Sequence, residues 1–244
     1  LGYGQLEDNY FQSSVIDFDK DRSDRSTYKL LGGSIGFYGS TLNTRQYATK
    51  GYLEKLIAQV FTGRERFEPG NPQEGYSPSP QERQSWLQIS YMKEAYHTMG
   101  PKFTLGWMAE ALYSSKNFSE NYTATMMQAG EFAPTPHSKL MYNEAFRANQ
   151  YVAAGIKPIY VLNDMFQFRT EFYGFTPIFP IKKNALNKAY YGKAFSRFEY
   201  MGEVSVICHL PFGAISAYVN HYSSPRREWN VGMTIGWQLF YYCF

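Results

Sequence analysis

Period-two alternation of apolar and polar positions runs through most of this chain, and helical periodicity is scarce. From Lys102 to Tyr113, Phe103, Leu105, Trp107, Ala109, Ala111 and Tyr113 form one face and Lys102, Thr104, Gly106, Met108 and Glu110 the other. From Met165, Phe166, Phe168 and Phe172 oppose Gln167, Arg169 and Glu171. Between Ala194 and Leu210, a row of Phe198, Tyr200, Val204, Val206, Cys208 and Leu210 opposes Arg197, Glu199, Glu203 and His209. Trp229, Val231, Met233, Ile235, Trp237 and Leu239 alternate with Asn230, Gly232, Thr234, Gly236 and Gln238. Weaker alternation predicts further strands at Tyr28 to Tyr38, Tyr52 to Arg66, Trp86 to Tyr96, Tyr122 to Phe132, Tyr142 to Tyr160 and Gly213 to Tyr222. The result is ten or eleven strands with no core helix. They are joined alternately by tight turns (His97 to Pro101, Leu162 to Asp164) and long polar loops (Glu68 to Arg83, Ile181 to Gly192).

The fold class this predicts is all-β: an antiparallel transmembrane β-barrel of the outer-membrane type. A soluble sandwich or lipid-binding barrel would show the same alternation with the apolar face turned inward. Composition favours the membrane. Of 244 residues, 22 are Tyr, 19 Phe and 4 Trp, while only 18% are charged, and large aromatics crowd the apolar faces near strand ends as interfacial girdles do. On that reading Phe103, Leu105, Trp107, Phe166, Phe168, Phe172, Trp229, Val231, Ile235 and Trp237 face lipid. Glu110, Arg169, Glu171, Arg197, Glu199 and Glu203 then face a wet lumen, pairing across neighbouring strands or anchoring an inserted loop. Arginine at Trp107 or Phe168 is expected to be costly, and at Met108 or Gln167 milder.

A net charge of +3 offers no nucleic-acid footprint, and no run of apolar residues is long enough for a membrane-spanning helix. Cys208 and Cys243 supply neither a disulfide framework nor zinc spacing. Asp17, Asp19 and Asp21 have calcium-loop spacing, but Arg22 stands where Gly is required and Tyr28 where bidentate Glu belongs. His97, His137, His209 and His221 include no i, i+4 pair for a zincin-type site. No cofactor is expected. Gly32-Gly33-Ser34-Ile35-Gly36 spells G-x-S-x-G, but strand-like residues follow where a nucleophile elbow needs a helix, so Ser34 reads as structural. Asn117 and Asn121 open sequons and read as loop polarity.

Three stretches carry a family resemblance. Ser40-Thr41-Leu42-Asn43-Thr44-Arg45-Gln46-Tyr47-Ala48-Thr49-Lys50-Gly51 is similar to an early segment of the bacterial surface-antigen superfamily barrel. Phe146-Arg147-Ala148-Asn149-Gln150-Tyr151, with Gly155, Pro158, Tyr160 and Arg169-Thr170-Glu171, resembles the barrel of bacterial patatin-like phospholipases. Leu210-Pro211-Phe212-Gly213-Ala214-Ile215 and Trp229 to Phe240 resemble that family's last two strands. The superfamily's lid-loop motif has Arg followed by Gly and an aromatic; here Ala148 and Asn149 follow Arg147.

The resemblance implies a C-terminal fragment of a barrel of about 16 strands in the bacterial outer membrane. Residues 1–27 would form a leading strand and charged loop, 28–240 the barrel strands and 241–244 a tail. Its implied partners are outer-membrane lipid, the barrel assembly machinery reading Phe240, Tyr242 and Phe244, and an upstream patatin domain of the same protein. That domain would carry the hydrolase chemistry and this chain none. An assembly or secretion barrel is the alternative function, and a soluble lipid-binding barrel the second.

Overall fold

The computed structural model describes residues 1–12, 17, 20–71, 83–211, 213–224 and 229–237. It contains β1 (Gly2–Tyr10), β2 (Asp24–Ser40), β3 (Gly51–Glu68), β4 (Arg83–Thr98), β5 (Phe103–Ser114), α1 (Tyr122–Gln128), β6 (Gly130–Glu131), β7 (Arg147–Ala148), β8 (Gln150–Val161), β9 (Phe166–Pro177), β10 (Ile181–Lys183), β11 (Ala189–Tyr191), β12 (Glu199–Leu210), β13 (Gly213–Tyr222) and β14 (Trp229–Trp237). Ten of the strands form one antiparallel sheet in the order β1-β2-β3-β4-β5-β8-β9-β12-β13-β14, with β1 and β14 as its open edges. Two small hairpins, β6-β7 and β10-β11, sit in the two longest connections. The leading strand belongs to the wall, since Tyr10 pairs with Asp24 at the start of β2.

The alternation read from the sequence sets two faces. On β5, β8, β9 and β12 one parity is buried (Met108, Tyr151, Lys157, Gln167, Arg169, Glu171, Tyr173, Met201, Glu203) while its neighbours Phe103, Val152, Ile156, Tyr160, Phe168, Phe172, Tyr200 and Val204 are exposed. Trp229, Val231 and Ile235 continue the exposed rows onto β14, while Leu105 and Trp107 are half-covered by outward neighbours. No charged side chain stands at an outward position of β5, β8, β9, β12, β13 or β14. Phe240, Tyr242, Phe244 and the side chain of Trp237 lie outside the described residues.

The predicted strand at Tyr122 to Phe132 is instead α1, capped by Asn121, whose side chain accepts from the Ala124 amide. That cap buries Asn121 and removes it from any sequon reading. The helix belongs to the segment 115–149, which packs against the concave side of β5 to β13, while inner positions of β2 such as Ser34, Gly36 and Tyr38 stay exposed. Phe132 and Phe146 from this segment pack with Met108, Leu112, Tyr151, Tyr173, Phe175, Met201 and Tyr222 of the wall. Rings meet edge-on (Phe132 with Tyr151 and Tyr173) and stacked (Phe132 with Phe175). The same segment reaches both ends of the sheet: Gln128 bonds Asp8 of β1, and His137 bonds Ser216 of β13. The wall therefore curls around it.

The expectation of a wet lumen is corrected by this packing along β5 to β12, and holds at the exposed inner positions of β2. Met108 is 4% exposed and Gln167 2%, so an arginine at either would meet side chains, not water. Glycines on the inner wall make the packing possible by facing aromatic rings across the ladder. Gly155 stands opposite Tyr173, and a Cβ there would come within 2.1 Å of the Tyr173 ring. Gly106 opposite Tyr96 repeats the device, so that each tyrosine lies flat against the wall.

Candidate functional site

The inner-face charges form several groups, two of which are joined: Lys157 and Arg169 both donate to the Tyr96 hydroxyl at 3.4 Å, linking the Lys157–Glu94 and Arg169–Glu171 pairs. Glu110 accepts the Tyr151 hydroxyl at 2.5 Å. Arg169 and Glu171, both buried, pair at 2.9 Å, and Glu171 also accepts the Tyr173 hydroxyl at 2.5 Å. Lys157 and Glu94 pair at 2.7 Å. Arg197 and Glu199 pair at 2.7 Å, and Ser223 donates to Glu199. The expected pairing across neighbouring strands is corrected here: the Arg169 and Arg197 pairs are i, i+2 contacts along the chain. Across the β9-β12 ladder the residues facing each other are two carboxylates, Glu171 and Glu203. Each survives because a different donor set meets it.

Glu203 is met by the inserted segment. His137 Nδ1 lies 2.7 Å from its Oε1, and Thr135 donates its hydroxyl to Oε2 at 3.1 Å. On its other side the His137 Nε2 is 3.1 Å from the Ser216 hydroxyl, to which the Tyr47 hydroxyl donates at 2.8 Å. The imidazole stacks on Tyr218 with centroids 3.6 Å apart. Ser216, His137 and Glu203 thus stand in the spacing of a nucleophile, base and orienting acid. All three are buried, however, and Ser216 lies mid-strand with neighbours on both β12 and β14. The backbone N–H groups around it belong to the ladder, leaving no oxyanion donors, and Tyr47 covers the hydroxyl. The arrangement is a latch: it ties the turn between β2 and β3, the inserted segment and the wall at one point. Its polar groups partner one another, as burial demands.

A second tie holds the same turn. Arg169 Nη1 donates to the Ala48 carbonyl at 2.9 Å, and Gln167 Nε2 to the Tyr47 carbonyl at 3.1 Å. Tyr47 has φ +54°, in the left-handed region that bulky residues avoid, so these bonds offset local strain. Outside it lies a polar cavity of about 680 Å³ bordered by Asn43, Lys50, Lys102, Asp164, Gln167 and His209. The connection between β2 and β3 is therefore held over the end of the sheet that carries the tight turns.

Arg147 clips the inserted segment together. It pairs with Glu131 at 2.6 Å, donates to the carbonyls of Met127 and Ala129 at the end of α1, and lies over the Tyr142 ring. A cation suits those carbonyls, the negative end of a helix.

Lys116, just past β5, is also buried, its ammonium over the rings of Tyr28 and Trp86 and bonded to Gln128 at 3.2 Å. Burial pulls its pKa down to about 8, against the opposing pull of Glu65 and Asp8. Free lysine titrates near 10.4, so between about pH 8 and pH 10 the folded chain holds fewer protons than the unfolded one, and stability rises with pH across that window. Below it the cost of the buried charge is complete, about 3 kcal/mol. Urea unfolding of the folded chain should show this rise, and Lys116→Met should start higher and lose the slope. A flat wild-type profile would refute it.

Among the other sequence features, Ser34 lies mid-strand in β2 opposite Gln59, with no turn or helix after it. Asp17 and Asp21 share a local bond from the Asp17 amide, and Asp19 lies outside the described residues. Among the described residues no group of His, Cys, Asp and Glu could hold a metal. His97 and His221 sit outward beside Trp107 and Trp229. Among the described residues no helix is long and apolar enough to cross a membrane.

No family model, curated protein or solved structure matches the chain.

Proposed function

We propose that this chain is the wall of an outer-membrane β-barrel whose interior along β5 to β13 is filled by its own segment 115–149, and that it serves as an anchor. One observation carries the reading. On the outer face, β2, β3 and β4 have uncharged side chains between two polar boundaries. On one side the boundary is Lys29, Arg64 and Arg83, which face one another in register; on the other it is Glu54 and Lys93, paired at 3.5 Å. Between them lie positions 30–38, 55–63 and 84–92, nine residues in each strand. A tilted strand needs roughly 9 to 11 residues to cross the hydrocarbon layer. Outward residues in that interval include Leu31, Ile35, Phe37, Leu56, Val60, Leu87 and Ile89. In water such a belt would exceed the apolar patches that soluble monomers tolerate.

The filled interior favours anchoring over passage, because Phe132, Phe146 and the His137 latch occupy the space a secretion barrel would keep open. That the anchored cargo is a patatin-like lipid acyl hydrolase encoded upstream rests on the resemblance of Ser40 to Gly51, Phe146 to Tyr151 and Trp229 to Phe240.

Single-tryptophan variants test the orientation. In bilayers with brominated acyl chains, Trp107 fluorescence should be strongly quenched. Trp86, which is inward, stacked on Phe61 and 8% exposed, should stay bright. A chain that stays folded and monomeric without detergent, with both indoles unquenched, would defeat the proposal.

A further inference from the structure

The cationic boundary of the belt raises a question of its own. Lys29, Arg64 and Arg83 occupy one row across three adjacent strands. Neighbouring strands are about 4.8 Å apart, so like charges directly opposite each other repel and destabilise the sheet. Nearby charges are treated differently. Arg25 is paired with Glu7 at 2.6 Å, and Arg66 with Glu68 at 2.7 Å. Among the described residues no carboxylate makes an ion pair with Lys29, Arg64 or Arg83, and all three side chains are exposed. The fourth residue of the row, on β1, is Gln5, a neutral hydrogen-bonding group. Gln5, Lys29 and Arg64 border an outward cleft of about 250 Å³, whose far side is formed by the Glu7–Arg25 and Arg66–Glu68 pairs; Arg83 continues the row beyond it.

The row's height relative to the belt says what would fill it. It stands one outward residue above Leu31, Thr62 and Ser85, at the edge of the uncharged interval. It also lies toward the long connections 11–23 and 69–82, away from the tight turns. In an outer-membrane barrel the long loops face the cell exterior. At that height the groups beside the wall are lipid headgroups, and a row of cations with a neutral donor matches their phosphates.

We infer that Lys29, Arg64 and Arg83, with Gln5, form a binding site for the phosphate groups of an anionic lipid in the outer leaflet, the lipid's chains lying against Leu31, Val60 and Leu87. This rests on the membrane reading above and assigns a ligand to its rim. Arginine supplies forked donors and lysine a point charge, so a phosphate placed between them takes bonds from two strands at once. Occupancy removes the repulsion that the bare row suffers.

The test uses the folded chain in phosphatidylcholine nanodiscs doped with bisphosphorylated lipid A, with retained lipid read by native mass spectrometry. Wild type should retain the lipid. The triple variant Lys29→Gln/Arg64→Gln/Arg83→Gln should lose affinity by about a hundredfold, from the loss of three cations at a membrane surface. Lys93→Gln, at the opposite rim, should behave as wild type. Lipid A stripped of its phosphates should not be retained, and excess inorganic phosphate should not displace the intact lipid. Equal retention by the triple variant, or of the dephosphorylated lipid, would overturn the assignment, and displacement by inorganic phosphate would reassign the row to a free anion. Trp107 quenching in the same discs separates the two failures: a quenched chain that retains no lipid A refutes only the site, whereas an unquenched chain refutes the membrane reading as well.

Discussion

Arg169→Met should destabilise the folded chain by about 3 to 5 kcal/mol, the cost of leaving a buried charge without its partner. Three things are lost with the guanidinium. Glu171 loses its 2.9 Å ion pair, the Ala48 carbonyl loses a donor, and the repulsion between Glu171 and the facing Glu203 is no longer offset from the β9 side. Arg169→Met/Glu171→Leu should recover much of the loss, because removing both charges is far cheaper than orphaning one. Urea unfolding of the detergent-folded variants gives both numbers. A single variant within about 1 kcal/mol of wild type would mean that the pair is solvated, contrary to its burial.

Phe168→Arg is the second large effect, expected at about 2 kcal/mol for a cation set in the uncharged outer row of β9 and small beyond the belt's charged edge. Phe168 is exposed, with Tyr160 and Val206 facing it across the ladder. Thr27→Arg, one outward residue beyond Lys29, is therefore the control and should change stability by less than about 1 kcal/mol. The loss at Phe168 should appear in bilayers. Equal, small effects at the two positions would argue that water, not lipid, covers the belt.

Strand parity was legible in the sequence wherever one face was uniformly uncharged. From Phe103 to Tyr113 and from Phe166 to Phe172 the inward and outward sets are those the alternation assigns. The inserted segment was not legible. Tyr122, Thr123, Thr125 and Phe132 suggest a strand, but Asn121 caps the segment, Ala124, Met126, Met127 and Gln128 favour helix, and Ala124, Thr125 and Met126 are buried on it. His137 gave no signal because its partners are 66 residues away at Glu203 and 79 away at Ser216. Spacing rules read only close neighbours, and a latch closed by tertiary contact has no spacing. The burial of these charges was likewise hidden: Glu171 and Glu203 read as wetted charges until Tyr173, Thr135 and His137 appear beside them.

The placement of segment 115–149 in mid-chain constrains how the molecule can be built. Gln128 touches the first strand 120 residues earlier, while His137 touches the penultimate one 79 residues later. Contacts so distant along the chain form late and slowly. A wall that rounded up first would have sealed off the space its own middle must occupy, so the middle has to arrive before the ends approach. The segment is the mandrel on which the sheet is wound, and damage to its fit should show itself first as stalled assembly.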